Sequence, residues 1–264
     1  MTDRLRRTAW LSSRTVVALA AFAAAGFAPL SAAQAQDAAP PTEWTPLTGD
    51  FSDIGDPWIP VPNGSSGAPR QGWLATADGF FTREAHLAYS YLDGDGFDAH
   101  EVLARFHHPL SRRLWVGVEL PFYRSVSVDG FGSRSGVGDA TITTQVMLAE
   151  TRNLSLNAGV GFQVPIGDND IGGGVFAAQP QLNLWTDLGS GFSFRGRVAY
   201  AFPDSGVSES FRLNAAIGQT VTPHDAAPFG DLTWYVSGNL SEPSNGPTFL
   251  SITPGMRTHV GGNL

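Results

Sequence analysis

The residues of this sequence best suited to chemistry are histidines close to carboxylates. His86 follows Glu84 at a spacing of two residues, and His107 lies further along the chain. Histidine acts as a general acid or base, or as a metal ligand, near neutral pH. A hydrolase with a serine nucleophile needs that serine within hydrogen-bond reach of its base. Ser90 is four residues from His86, which is about 13 Å along a strand. The sequence therefore predicts no enzymatic activity.

Two short motifs resemble ligand-binding loops but lack their essential residues. The run 93–98, Asp-Gly-Asp-Gly-Phe-Asp, has phenylalanine where an EF-hand needs an acid at its fifth position, and aspartate where it needs glycine at its sixth. Asp-Gly steps favour a hairpin turn instead. The run 136–141 lacks the third glycine of a dinucleotide site. The sequence predicts neither a metal nor a cofactor.

These residues must be positioned by extended segments, because apolar and polar residues alternate from Arg83 onward. In Leu154–Val164, the even positions are all apolar and the odd positions are all small or polar. Successive side chains of a strand point to opposite faces, so each segment separates two environments. About ten segments of about 9–13 residues alternate in this way, and a tilted strand needs this length to cross a bilayer.

The predicted links between the strands alternate in length. Short links lie at 109–112, 150–153 and 187–191, and longer links rich in glycine, serine and aspartate lie at 125–137, 166–175 and 203–209. Outer-membrane barrels have short periplasmic turns and longer extracellular loops. A soluble β-sandwich or a lipocalin-like barrel also alternates, but charged residues are only 15% of this chain. The sequence predicts an all-β fold, an antiparallel transmembrane β-barrel of about 10–12 strands over residues 81–264.

The polar faces of these strands would line an enclosed interior. Charges there are tolerated only when they are paired or hydrated. A barrel of eight strands is already filled by side chains, so about ten strands enclose a narrow path or a salt-bridged core. The predicted lumen-lining residues are Glu84, His86, Glu101, Arg105, Glu119, Asp139, Arg195, Arg197 and Arg212.

The N-terminal region has the features of an export signal. A basic start precedes an apolar run over Val16–Leu30 and the small-residue sequence Ala33-Gln34-Ala35. Residues 1–36 are predicted to be a signal peptide that is cleaved near Ala35. Residues 37–80 are rich in proline, glycine and serine and show no period, so they are predicted to form an irregular segment that is periplasmic or plugs the lumen.

Composition excludes several classes of function. The formal net charge of −8 argues against nucleic acid as a partner, because binding to nucleic acid depends on neutralising phosphates. The chain contains no cysteine, which excludes thiol catalysis and zinc–thiolate sites.

Three short motifs carry a family resemblance. Ser135-Gly136-Val137-Gly138-Asp139 opens one predicted strand, Val164-Pro165-Ile166-Gly167-Asp168 closes the next, and Pro254-Gly255-Met256-Arg257 lies in a late strand. With these motifs, residues from about 80 to about 260 resemble the bacterial outer-membrane family of meta-pathway phenol-degradation proteins. The resemblance implies passage of small aromatic or other hydrophobic compounds across the outer membrane, and it supplies no catalytic residues.

The resulting hypothesis is a non-enzymatic channel or transporter in the outer membrane of a Gram-negative bacterium. Its expected partners are outer-membrane lipid, a small hydrophobic or aromatic solute, and the barrel-assembly machinery. Solute would bind near the links 125–137 and 166–175. Selectivity would depend on Glu119, Arg195 and Arg197 and on the occluding segment 37–80. Two alternatives stay open: a closed structural barrel without transport, and a lipid-acting outer-membrane enzyme that depends on His86 or His107.

Overall fold

The computed structural model contains eleven β-strands in the residues that it describes, which are 43–70, 81–168, 170–204, 206–226 and 228–260. None of these ranges contains a helix that could span a membrane. The predicted signal peptide lies outside the described residues. The strands are β1 (Glu84–Gly94), β2 (Phe97–Pro109), β3 (Leu114–Val128), β4 (Gly132–Gly136), β5 (Ala140–Thr151), β6 (Leu154–Val164), β7 (Ala177–Gly189), β8 (Phe192–Pro203), β9 (Ser210–Thr220), β10 (Phe229–Pro243) and β11 (Phe249–Val260).

The strands form one antiparallel sheet that curls like a barrel wall and is open between its two edge strands in the described residues. Ten of them pair in chain order from β1 to β11, while β4 pairs only with β3. In the described part of the chain, β1 and β11 are the two edge strands and do not pair with each other. The predicted all-β antiparallel barrel with about ten long strands is confirmed.

The barrel has its polar face inside and its apolar face outside. In β6, Ser155 and Asn157 are fully buried, and Asn183 on β7 is equally buried. The large apolar side chains of the opposite face are exposed, among them Leu87, Phe106, Leu182, Val198, Trp234 and Ile252. A half-exposed sheet of a water-soluble protein does the reverse and packs its apolar face into a core. The burial pattern therefore argues against a soluble sandwich.

Pro180 and Pro254 lie within strands at positions where the backbone tolerates a missing donor. On the β8 side of β7, Ala178 and Gln181 have partners on β8 but the two residues between them do not. The ladder of backbone hydrogen bonds is therefore interrupted at Pro180. Pro254 lies in β11, which is an edge strand in the described residues and has a partner only on the β10 side. Both positions follow the rule that proline occurs at edges and interruptions of a sheet.

The predicted loop over 125–137 is wrong, because most of this range is paired. β3 continues to Val128, turns, and returns as β4, with Val126 opposite Arg134. The alternation of serine and valine over 125–128 extends the strand, and Gly130 and Gly132 adopt the positive φ angles of 79° and 83° that the turn requires. The sheet thus continues through most of the predicted loop at this end of the barrel.

The two ends of the barrel differ in their connections. At one end, called here the short-turn end, lie the turns 110–113, 152–153 and 190–191, together with the start of β1 and the end of β11. At the other, the loop end, lie the β3–β4 hairpin and the links 165–176 and 204–209. Two connections depart from this pattern: the link 221–228 is longer and belongs to the short-turn end, and the two-residue turn 95–96 lies at the loop end.

Candidate functional site in the barrel interior

Residues 43–70, called here the N-terminal segment, lie against the short-turn end of the barrel. The backbones of Leu47 and Glu150 exchange two hydrogen bonds of 2.8 and 2.9 Å, so the segment adds a short bridge to β5. It also bonds three turns in succession, through the pairs Ile54 and Ser111, Ser65 and Asn153, and Ser66 and Asp187. The segment therefore crosses the short-turn end from β3 to β7.

Arg113 is the main anchor of this segment. Its guanidinium is fully buried and forms an ion pair with Asp53. It also donates to the carbonyl oxygens of Thr48 at 2.7 Å and of Met147 at 3.1 Å. The cation lies 4.6 Å from the ring centroid of Phe51. Guanidinium carries five donors in a rigid fork, so one side chain holds the segment and the barrel wall together.

A second buried cation fixes the other half of the segment. Arg70 donates to Glu150 at 2.8 Å, and both side chains are almost fully buried. Burial lowers the pKa of Arg70, and the neighbouring carboxylate of Glu150 acts in the opposite direction. The guanidinium also lies 4.5 Å from the ring of Trp185, which is fully buried. Arg195 contacts the carbonyl oxygen of Pro69 at 3.4 Å.

Apolar side chains complete the floor of the barrel. Leu47 and Phe81 pack with Trp115 of β3 and Met147 of β5, and the partly buried Trp58 packs against this cluster. The rings of Phe81 and Trp115 are stacked with centroids 6.4 Å apart. The floor is thus a hydrophobic cluster surrounded by buried, paired charges, which is a packed rather than a water-filled arrangement.

Above the floor, the interior contains a polar cavity of about 190 Å³. The structure brings Glu119, Arg197 and Arg212 together in its wall. Each is held by a neighbour: Arg105 donates to Glu119 at 2.7 Å, Arg197 to Asn214 at 2.8 Å, and Arg212 to Gln179 at 2.9 Å. The cavity therefore presents fixed charges of both signs with two cations and one anion.

The other predicted lumen residues lie outside this cavity. Glu84 and His86 are bonded to each other at 2.6 Å near the start of β1, and Glu101 lies 3.7 Å from Arg124. Arg195 belongs to the floor. Asp139 accepts backbone N–H groups of Gly167 and Gly173 at 3.1 and 2.7 Å, so it fastens the link 165–176 over the loop end.

A second cavity, of about 350 Å³, lies at the loop end and is more apolar. It is bordered by the β3–β4 hairpin and by the link that Asp139 holds, and it is open to the outside. Phe131, on the hairpin turn, is 86% exposed, and Arg134 bonds Asp170 across the opening at 3.1 Å. The remaining apolar wall consists of Val126, Val128 and Ile171. The arrangement suits a small solute with a hydrophobic body.

Arg70 and Arg113 hold the floor, and neither is among the residues predicted from the sequence. Arg113 lies in a short turn, and Arg70 lies in a segment without periodicity. A basic pair in a turn, as at Arg112-Arg113, was the only available signal.

We expect acid to release the N-terminal segment through Asp53. The hydrogen bond from Arg113 lowers the pKa of Asp53 below its ordinary value of 3.8. A carboxylate with a lowered pKa stabilises the folded state above its unfolded pKa, and this contribution disappears as the pH falls through the lowered value. As the pH falls below about 4, the rate at which pepsin cleaves the segment in the wild type should therefore rise towards the rate in Asp53→Asn measured at the same pH.

The variant Asp53→Asn is the control, because it lacks the titrating group. It should already be cleaved rapidly at about pH 4, relative to wild type at the same pH. Equal cleavage of the two proteins at that pH would contradict this role for Asp53.

Comparison with known proteins identifies the family. No curated protein matches the chain. Residues 60–263 match the family described as "Putative MetA-pathway of phenol degradation". The match covers more than half of the chain and includes all eleven strands, which confirms the family expected from the sequence motifs. The chain belongs to this phenol-degradation family.

Proposed function

We propose that the protein is a non-enzymatic channel or transporter of the outer membrane for small hydrophobic or aromatic compounds. The observation that carries this proposal is the inverted burial of the strands, with asparagine, serine and arginine inside and leucine, phenylalanine and valine exposed outside. An apolar outer band and a polar interior are the features of a barrel surrounded by lipid. The family description, which refers to phenol degradation, supports an aromatic solute.

The two cavities and the floor suggest a route. Solute would first bind in the loop-end cavity, whose wall combines Phe131 and Ile171 with Arg134 and Asp170. It would then pass the polar cavity lined by Glu119, Arg197 and Arg212. The N-terminal segment would act as a plug at the periplasmic end, and its displacement would complete passage.

The membrane location is tested by fractionation. We expect the protein to be exported with cleavage near Ala35, to insert with the help of the barrel-assembly machinery, and to require detergent for extraction from outer membranes. Recovery of the mature protein from the periplasm without detergent would contradict the proposal. Transport is tested in liposomes, where uptake of a labelled phenol should exceed that of protein-free vesicles and of vesicles with an unrelated barrel.

We expect the charges of the polar cavity to set ion selectivity. The double substitution Arg197→Glu and Arg212→Glu changes the charged side chains that line this cavity from two cations and one anion to three anions. The ratio of cation to anion permeability in planar bilayers should rise about tenfold. Arg152→Glu, at an exposed position in the turn 152–153 of the short-turn end, is the control and should change the ratio little. An unchanged ratio in the double variant would exclude this cavity from the conducting path.

A closed structural barrel is the second candidate, and the packed floor is the observation that favours it. Leu47, Phe81, Trp115 and Met147 are all nearly fully buried there. This candidate predicts no flux with the N-terminal segment present or absent, whereas the channel predicts flux once the segment is displaced.

A further inference from the structure

Glu84, His86 and His107 form a compact cluster on the inner face of the β1–β2 hairpin. Glu84 and His86 are two residues apart on β1, so both side chains point to the same face. His107 on β2 is the direct cross-strand partner of Glu84. One ligand atom from each residue lies within 4.8 Å of the other two, and Glu84 Oε2 and His86 Nε2 are 2.6 Å apart. The hairpin register itself thus brings two imidazoles and one carboxylate together.

The surroundings orient this cluster and leave it accessible. The ring of His107 lies 4.8 Å from that of Trp115 and 5.7 Å from that of His86. His107 is buried, whereas the side chains of Glu84 and His86 are 16% and 31% exposed. Glu84 also lines a cavity of about 270 Å³ beside Trp58 and Phe81. An ion could reach the cluster from this cavity.

We propose that Glu84, His86 and His107 bind a divalent transition metal of the zinc class inside the barrel. Two histidines and one glutamate are a known ligand set for zinc, which leaves a fourth position for water or another oxygen ligand. Tetrahedral zinc ligands at about 2.1 Å from the metal are about 3.4 Å from one another, so small side-chain rotations convert the observed spacing into a coordination shell. From the sequence, Glu84 and His86 are predicted to line a charged lumen, and no metal is predicted.

The charge and chemistry of the cluster favour this ion over a hard cation. Neutral imidazoles are good ligands for zinc, cobalt, nickel and copper, whereas magnesium and calcium require oxygen ligands. Glu84 supplies the single negative charge, and Arg257 on β11 is near enough to interact with it electrostatically.

The test is titration of the purified, detergent-solubilised protein with zinc and cobalt, using a histidine-free affinity tag. Calorimetry should show one saturable zinc site, and cobalt should give the visible absorption of a tetrahedral nitrogen–oxygen complex. His86→Ala and His107→Ala should each weaken binding by at least about 100-fold, and Glu84→Gln by about 10–100-fold. Magnesium should not compete.

The remaining histidines provide matched controls, since the chain has six in all. His224 and His259 have rings 5.2 Å apart at the short-turn end, so they are the main rival site. His100→Ala and the double variant His224→Ala, His259→Ala should bind zinc as the wild type does. Far-ultraviolet circular dichroism and heat-dependent gel mobility establish that each variant is folded. Wild-type binding in folded His86→Ala and His107→Ala, or no saturable site in wild type, would overturn the proposal.

Discussion

Deleting residues 43–70 should turn a barrel of low conductance into an open pore. The N-terminal segment bonds the turns at Ser111, Asn153 and Asp187, and Leu47 supplies part of the hydrophobic floor with Phe81. Without the segment, the floor loses its packing partner and the polar cavity gains access to the short-turn end. We expect single-channel conductance in planar bilayers to rise by at least about tenfold, because flow then depends on the polar lumen rather than on a packed plug.

The control is a variant in which the link 244–248, at the loop end, is shortened to a two-residue turn. It removes chain from the opposite end and should leave the conductance near the wild-type level. The strands begin after the deleted residues, so circular dichroism should show an unchanged β content. A folded deletion protein with wild-type conductance would contradict the plug and favour the closed structural barrel.

Arg113→Ala should release the N-terminal segment and strongly destabilise the protein. Arg113 is fully buried and bonds Asp53, several carbonyl oxygens of the N-terminal segment and Met147 on the wall. Removing one partner of a buried ion pair costs about 3–5 kcal/mol, and the carbonyl oxygens lose a donor as well. Because Asp53 is partly exposed, we expect a loss of about 3 kcal/mol in the free energy of unfolding. Urea titration of the detergent-solubilised protein measures it.

Arg112→Ala is the matched control in the adjacent position. Arg112 also contacts the N-terminal segment, through Thr45, but this contact is exposed. Exposed polar contacts contribute little to stability, so the loss in the free energy of unfolding should stay below about 1 kcal/mol. Limited proteolysis should likewise cut the segment faster in Arg113→Ala than in Arg112→Ala. Equal stability and equal cleavage of the two variants would show that Arg113 is not the anchor.

The strand pattern of this protein was predictable because it depends on residues that are close to one another in sequence. Alternation over Leu154–Val164 predicts β6 with the bounds observed, since side chains two residues apart share a face whatever the rest of the chain does. The same rule placed Glu119, Arg197 and Arg212 on polar faces, and all three line one cavity. The alternation rule failed at 125–137, where the glycine-rich sequence indicated a loop and the structure has the β3–β4 hairpin.

Composition and periodicity alone determined that this chain is an antiparallel barrel with charged side chains on its inner face. Only the tertiary structure decided which charges meet, because the pairs Arg113 with Asp53 and Arg70 with Glu150 join positions 60 and 80 residues apart. It also decided that Glu84, His86 and His107 converge, which depends on the register of one hairpin. The physical reason is that a side chain's face follows from its neighbours in sequence, whereas its partner depends on strand register and on how a non-periodic segment crosses the barrel.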